Sequence, residues 1–155
     1  MDSTGWLAVA EKMLDYGVMG TLGIMSIVAL WLFIERMMFY KSIKLEEYDN
    51  KELLEIDLTD NLSTLSAIGA NAPYVGLIGT ILGIMITFYG LGELGTVDTK
   101  KVMTGLALAL KATAFGIIVA IPAIIFYTTA MRKVERLSAI WDAHKSNKSG
   151  RSEAE

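Results

Sequence analysis

The chain has 155 residues, of which 53% are hydrophobic, and its mean hydropathy is +0.45. It has no cysteine, which excludes a disulfide framework and a thiolate metal site. The net charge is −3, from 14 basic and 17 acidic residues, and we expect no nucleic acid as partner. The distribution of these charges along the chain is more informative than their sum.

Three segments of the chain lack charged side chains: residues 16–34, 61–92 and 112–131. A helix needs roughly 20 apolar residues to cross the bilayer core. The sequence therefore predicts an all-α membrane protein with three transmembrane helices, which leave no room for a separate soluble domain. We place the spans at about 16–36, 72–92 and 110–130 of a single membrane domain, 1–155.

The first span follows an N-terminal segment, Met1–Asp15, that contains three acidic residues and one basic residue. This segment lacks the basic region of a signal peptide, so we expect the first span to be retained as a true helix. Glu35 and Arg36 fall where the span leaves the bilayer and are predicted to be interfacial anchors. A cytoplasmic linker, 41–60, follows, and both a short amphipathic helix and a solvated connector are compatible with its sequence.

The second charge-free segment is too long for one crossing, because 32 residues of helix extend over about 48 Å and the bilayer core measures about 30 Å. Its first part, 62–71, is therefore predicted to extend into the cytoplasm. Pro73 then lies near the cytoplasmic boundary or kinks a continuous helix. Three glycines are predicted to end the helix and form the external turn, namely Gly90, Gly92 and Gly95.

The third helix is predicted to begin with Asp98 or Thr99 as its N-cap. After its span it continues as an amphipathic helix, in which Val134, Leu137 and Trp141 recur at spacings of three and four residues. The polar tail that follows, 145–155, is predicted to be disordered.

The distribution of lysine and arginine predicts the orientation of the chain. Ten of these residues lie in the first loop and the C-terminal tail, and four lie on the other side. Because positive charge accumulates on the cytoplasmic side of a membrane, we expect the N-terminus outside and the C-terminus in the cytoplasm.

Small residues mark one side of the second and third spans. They are predicted to let the two helix backbones approach closely, and they comprise Gly76, Gly79, Gly83, Ala112, Gly116 and Ala120. Ordinary helix packing explains this pattern, which does not by itself imply a pore.

Polar side chains in or near the spans are few. Thr80, Thr87 and Thr113 are candidates to line a narrow polar path, although a hydrogen bond to its own i−4 carbonyl is a sufficient account of Thr87. Lys111 can extend to the headgroups, face an interior cavity where its charge repels cations, or pair with a carboxylate of a partner. The sequence leaves these alternatives open.

The predicted spans contain no Asp or Glu besides Glu35 at the boundary. Proton transfer across a membrane normally needs a titratable group part-way across, so another polypeptide would have to supply the carboxylate. The chain also lacks a P-loop, an HExxH motif, a GxSxG motif and a cluster of metal ligands. We therefore expect no enzyme activity, no cofactor and no bound metal.

Two sequence motifs carry a family resemblance. The segments 72–88, APYVGLIGTILGIMITF, and 109–127, ALKATAFGIIVAIPAIIFY, are similar to the paired motifs of the ExbB/TolQ proteins and more distantly resemble MotA-type flagellar stator subunits. The resemblance implies a ring, commonly a pentamer, in the bacterial inner membrane. Such a ring surrounds the transmembrane helices of an ExbD- or TolR-type partner, which contributes an aspartate.

The resemblance also implies a function, in which proton flow moves the ring relative to the partner and force passes to TonB-like proteins. Thr80 and Thr113 match the family threonines that face the partner's aspartate, and Pro122 matches the proline of the third-span A-I-P-A motif. Two positions depart from the family pattern. Leu108 stands where many ExbB proteins have a glutamate, and Lys111 stands where they usually have an apolar residue.

The first loop is also shorter than in typical members, so a short-form ExbB-like subunit is the leading interpretation. A non-conducting scaffold for the partner and a TolQ-like subunit for envelope integrity are the alternatives. A MotA-like stator subunit is disfavoured because such chains usually have four spans and a large cytoplasmic domain. A small-solute transporter is disfavoured because the sequence contains no inverted repeat.

Overall fold

The computed structural model describes residues 5–94 and 99–152. This part of the chain folds into four α-helices and one short 3₁₀ helix, and it contains no β-strand. The α-helices are α1 (Gly5–Ser42), α2 (Lys51–Thr59), α3 (Leu62–Leu94) and α4 (Thr99–Ser152), and the 3₁₀ helix covers Leu45–Glu47. The predicted all-α class is confirmed.

Three of these helices, α1, α3 and α4, are long and apolar enough to cross a membrane. α3 and α4 form an antiparallel hairpin, and α1 packs along both. We call the end of the bundle with Gly5 and Leu94 the outer end and the end with α2 the inner end, following the predicted orientation. Ile24, Met85 and Ile118 are 60% or more exposed, which suits helices that contact lipid or other membrane helices.

Large buried side chains concentrate at the inner end of the bundle. Leu54 and Leu58 of α2 are fully buried in a cluster that includes Trp141 of α4. Farther out, a smaller buried cluster is centred on Leu22 and Ala72. Large side chains therefore hold the helices together at the inner end. In the membrane-spanning part, the buried contacts are made mostly by small side chains.

The linker between α1 and α3 contains the amphipathic helix that the sequence left open. The side chain of Asn50 caps α2 by accepting a hydrogen bond from the backbone N–H of Glu52 (3.1 Å). Trp141 of α4 donates its indole N–H to the carbonyl of Tyr48 (3.0 Å). The Tyr48 hydroxyl donates to the carboxylate of Asp57, and this hydrogen bond raises the pKa of Tyr48. The linker is thus docked on α4 rather than solvated.

Arg36 joins the inner end of α1 to α2. Its side chain is only 7% exposed, and it donates to both carboxylate oxygens of Glu35 and to the carbonyl of Asp57 (3.1 Å). Asp60 adds an ion pair at 3.6 Å. The two residues predicted as interfacial anchors therefore take part in a partly buried hydrogen-bond network at the inner end of α1.

We expect Arg36→Met to lower the free energy of unfolding by about 1–3 kcal/mol, because it removes a hydrogen-bond donor from the carbonyl of Asp57 and from a partly exposed carboxylate. Thermal or chemical unfolding of the detergent-solubilised protein measures the change, and hydrogen exchange shows whether α2 detaches. Arg132→Met, at an exposed arginine of α4, is the matched control. Equal effects of the two substitutions would contradict a stabilising role for the network.

The polar tail is helical as far as Ser152, where the sequence predicted disorder from residue 145. Lys145 donates a hydrogen bond to the carbonyl of Asp49, and its ammonium lies 4.6 Å from the ring centroid of Trp141. These contacts hold the start of the tail against the linker, so α4 continues beyond the predicted end.

α3 is one continuous helix. Pro73 lies inside it, in agreement with the continuous-helix alternative. Gly90 and Gly92 are also helical, so they do not end the helix as predicted. Gly95, the third glycine of the predicted turn, and Asp98, one of the two predicted caps of the next helix, lie outside the described residues.

The contacts between α3 and α4 show that their predicted spans lie at different depths along the bundle axis. Gly69 lies against Ile124, so the predicted span 110–130 lies alongside about 62–82 of α3. The predicted span 72–92 is therefore displaced outward by about 15 Å. Both sets of bounds cannot hold in one planar bilayer core of about 30 Å.

Candidate functional site

Glycines make a close contact between α3 and α4. A Cβ atom added to Gly76 would lie 2.5 Å from the carbonyl oxygen of Ala112, and one added to Gly116 would lie 2.7 Å from the carbonyl oxygen of Ala72. Since the opposing atoms belong to the backbone, a larger residue at either position would push the helices apart. We call this contact between Ala72, Gly76, Ala112 and Gly116 the glycine seam.

Two further glycines continue the contact toward the outer end. A Cβ atom on Gly79 would lie 2.9 Å from the side chains of Ala112 and Val18, where α1 joins the hairpin. A Cβ atom on Gly83 would lie 3.0 Å from the Cβ atom of Ala109. The nearest opposing atoms here belong to side chains rather than to the backbone, so a smaller residue at the opposing position can relieve the contact.

The other two residues predicted from the third-span pattern lie toward the inner end. Ala120 is buried beside Leu22 and Ala72. Pro122 lies inside α4 on its exposed side. The structure therefore brings the six predicted small residues together along the helix contacts and leaves Pro122 outside them.

Thr80 lies at the glycine seam, and its hydroxyl contacts three polar atoms. Thr80 is 7% exposed. Its Oγ1 lies 2.9 Å from the carbonyl oxygen of Ala109, 3.2 Å from that of Gly76 and 2.5 Å from Oγ1 of Thr113. Each hydroxyl has one proton and two lone pairs, so one threonine donates to the other. We call Thr80 and Thr113 the threonine pair.

Within residues 5–94 and 99–152, no carboxylate contacts the threonine pair. The two hydroxyls hydrogen-bond to each other, and the Thr80 hydroxyl also lies within hydrogen-bond distance of two backbone carbonyls. Thr113 is partly exposed, so its hydroxyl is the one that a group from another chain can reach. A hydroxyl pair can relay a proton or position a carboxyl group, but it offers no site at which a charge can be held.

Thr87 is separate from the threonine pair. Its hydroxyl donates to its own i−4 carbonyl, that of Gly83 (2.9 Å). Its side chain also packs so closely against Gly105 that a Cβ atom there would overlap it. Thr87 therefore packs between α3 and α4 and does not contact the threonine pair.

Lys111 forms an ion pair within the chain, which the sequence pattern did not predict. Its Nζ lies 3.1 Å from Oδ2 of Asp15 on α1, and the two side chains are 38% and 41% exposed. Within the described chain, the ammonium of Lys111 is thus paired with a carboxylate of the same chain. α1 and α4 start at the same end of the bundle, and each charge is the last before a charge-free segment. This shared position before a charge-free segment is the feature of the sequence from which the ion pair could have been predicted.

The protein is a multi-pass α-helical membrane protein, because three of its helices are long enough to cross a membrane and expose apolar side chains. In the described part of the chain, no group of three or more His, Asp and Glu residues is placed to hold a metal ion. The family follows from the sequence. The chain belongs to the MotA/TolQ/ExbB proton channel family, and residues 31–143 match the model of that family.

Several relatives are named biopolymer transport protein ExbB. The chain is 52% identical over 133 residues to that of Aquifex aeolicus (strain VF5), a match that covers 86% of this chain and 90% of the relative. It is 49% identical over 132 residues to that of Helicobacter pylori (strain J99), with 85% and 91% covered. The match to the ExbB of Pseudomonas putida, 40% over 78 residues, covers 50% of this chain and 24% of that protein. The chain thus aligns over most of its length with ExbB proteins of similar size.

Proposed function

We propose that the chain is the ExbB-type subunit of a motor driven by the proton gradient across the bacterial inner membrane. Copies of the chain form a ring, expected to be a pentamer, around a single-span partner of the ExbD or TolR type. The partner supplies an aspartate to the threonine pair, and proton flow moves ring and partner relative to each other. The force then passes to a TonB-like protein and energises TonB-dependent outer-membrane transport.

One observation carries this proposal: a threonine pair at a helix contact, with Thr80 buried, Thr113 partly exposed and no carboxylate bonded to either hydroxyl in the described chain. Such a pair fits a proton path in which a second chain brings the titratable group. The description of the family as a proton channel and the naming of relatives for biopolymer transport support the same function. These names also favour the ExbB role over the TolQ role.

The proposed ring accounts for the apolar residues that one copy of the chain leaves exposed. Phe115 and Ile118 of α4 and Leu77 of α3 are each exposed by more than two fifths, and they follow the threonine pair toward the inner end of the two helices. In a ring, part of this surface contacts neighbouring copies and the partner, and the rest contacts lipid. The bias of basic residues toward the inner end supports a cytoplasmic C-terminus.

The native mass of the detergent-solubilised protein tests the proposal. The chain is expressed with and without the ExbD-type protein of the same genome, and mass is measured by native mass spectrometry. We expect a closed ring that retains the single-span partner. A monomer, or an open aggregate that does not bind the partner, would overturn the proposed assembly.

A further inference from the structure

A cavity at the outer end of the bundle adjoins the ion pair of Asp15 and Lys111. It measures about 320 Å³ and lies between α1 and the α3–α4 hairpin. Three charged side chains of α1 line it, namely Glu11, Lys12 and Asp15. The sequence gives no sign of this cavity, because its walls come from three helices.

The cavity extends as far as residues next to the threonine pair, although the two threonines do not line it. Ala109 and Ala112 both line the cavity. The carbonyl of Ala109 accepts a hydrogen bond from Thr80, and Ala112 directly precedes Thr113. An ion that enters the cavity from the outer end therefore approaches the threonine pair past the charges of α1 and past Lys111.

Four charged side chains line this cavity or pair beside it, and the formal charges of these four balance. Glu11 and Asp15 contribute two negative charges, and Lys12 and Lys111 contribute two positive charges. Asp15 is the carboxylate in contact with Lys111, at 3.1 Å. Without Asp15, the remaining three of these four side chains have a net positive charge. The ammonium belongs to Lys111, which is two residues from Ala109 along α4. An uncompensated ammonium in a partly buried position repels protons and other cations.

We propose that Asp15 neutralises Lys111 at the outer entrance of the proton path and thereby lets cations reach the threonine pair. Asp15 acts as a positioning residue, since it holds the ammonium on the α1 side of the cavity and does not take part in the transfer itself. This inference rests on the proposed function and specifies what controls access to its site.

Three variants of the complex with its ExbD-type partner test this role: Asp15→Asn, Lys111→Met and the double variant. Acid-driven proton uptake is measured in proteoliposomes with a pH-sensitive dye inside. We expect Asp15→Asn to slow uptake about tenfold, the effect of one unneutralised charge near the path at a partly buried site. Lys111→Met should stay within about twofold of the unsubstituted complex, and the double variant should recover to about the same level.

The pattern of the three variants separates neutralisation from a simple latch between helices. If the pair served only to hold α1 against α4, both single variants would be impaired alike and the double variant would not recover. Raising the salt concentration should also reduce the defect of Asp15→Asn, since screening weakens repulsion. Native mass and thermal unfolding of each variant confirm that the complex is assembled. Uptake by Asp15→Asn at the normal rate, or equal impairment of Lys111→Met, would overturn the inference.

The same assay distinguishes failure of this inference from failure of the proposed function. A complex with both threonines of the pair replaced by valine is measured in parallel. If these replacements stop uptake while Asp15→Asn does not alter it, the inference fails and the proposed function stands. If the unsubstituted complex takes up no protons, or uptake ignores the threonines, the proposed function fails and the inference falls with it.

Discussion

Replacing Thr80 and Thr113 together by valine is expected to reduce acid-driven proton uptake by the complex about a hundredfold, while ring and partner remain assembled. Valine has nearly the shape of threonine but lacks the hydroxyl, so the change removes the 2.5 Å contact of the pair and the groups that can position or relay a proton. Positioned proton-transfer groups contribute factors of about a hundred or more. Uptake in proteoliposomes measures the effect, and native mass measures assembly.

Two variants serve as controls for this prediction. Thr21→Val removes an exposed hydroxyl of α1 that donates to its own i−4 carbonyl, that of Gly17 (2.8 Å), and should leave uptake unchanged. Thr80→Ser keeps a hydroxyl at the seam and should retain most of the activity. The chain without its partner provides the baseline, and we expect negligible uptake from it because the charge-free segments contain no carboxylate.

Normal uptake by the double valine variant in an intact complex would contradict a proton path through the threonine pair. That result would favour the scaffold alternative, in which the ring positions the partner helices and protons move along the partner alone. Loss of uptake together with loss of assembly would instead assign the threonines to packing. The combination of two measurements therefore separates the three roles.

The membrane architecture could be predicted from sequence because the bilayer imposes a strong constraint. A helix of about 20 apolar residues without a charge matches the thickness of the bilayer core, so α1, α3 and α4 were found from the charges alone. The small-residue spacing likewise predicted that α3 and α4 approach closely. In the structure, the backbones of the two helices lie in close contact at Gly76 and Gly116.

Features that depend on the relative register of helices could not be predicted from one helix at a time. The ion pair of Asp15 and Lys111 joins residues separated by 96 positions. The displacement between the predicted spans has the same origin, since contacts between the two helices, such as Gly69 with Ile124, show which part of α3 lies beside which part of α4. The docking of α2 depends on Trp141 of α4, which also lies far along the chain.

Gly76→Ala is expected to destabilise the hairpin by about 2–3 kcal/mol, a typical penalty for overpacking a close contact. The added Cβ atom would lie 2.5 Å from the carbonyl oxygen of Ala112 and 3.0 Å from the Cα atom of Thr113. Neither atom belongs to a flexible side chain, so the helices must separate. Thermal unfolding in detergent measures the change. Gly20→Ala, at a glycine of α1 with open space around it, is the matched control and should not destabilise the protein.

A second pair of substitutions shows whether the backbone contact itself sets this limit. At Gly83 the added Cβ atom meets the Cβ atom of Ala109 at 3.0 Å, so Ala109→Gly should rescue Gly83→Ala to within about 1 kcal/mol, the usual penalty of a helical glycine. Ala112→Gly should give no such rescue of Gly76→Ala, because the opposing carbonyl remains. Rescue at both positions would show that side chains, rather than backbones, hold α3 and α4 apart. Rescue at Gly83 alone would show that the backbones limit the approach of the helices at Gly76, one turn from Thr80. The separation of the helices there also sets the distance between the hydroxyls of Thr80 and Thr113.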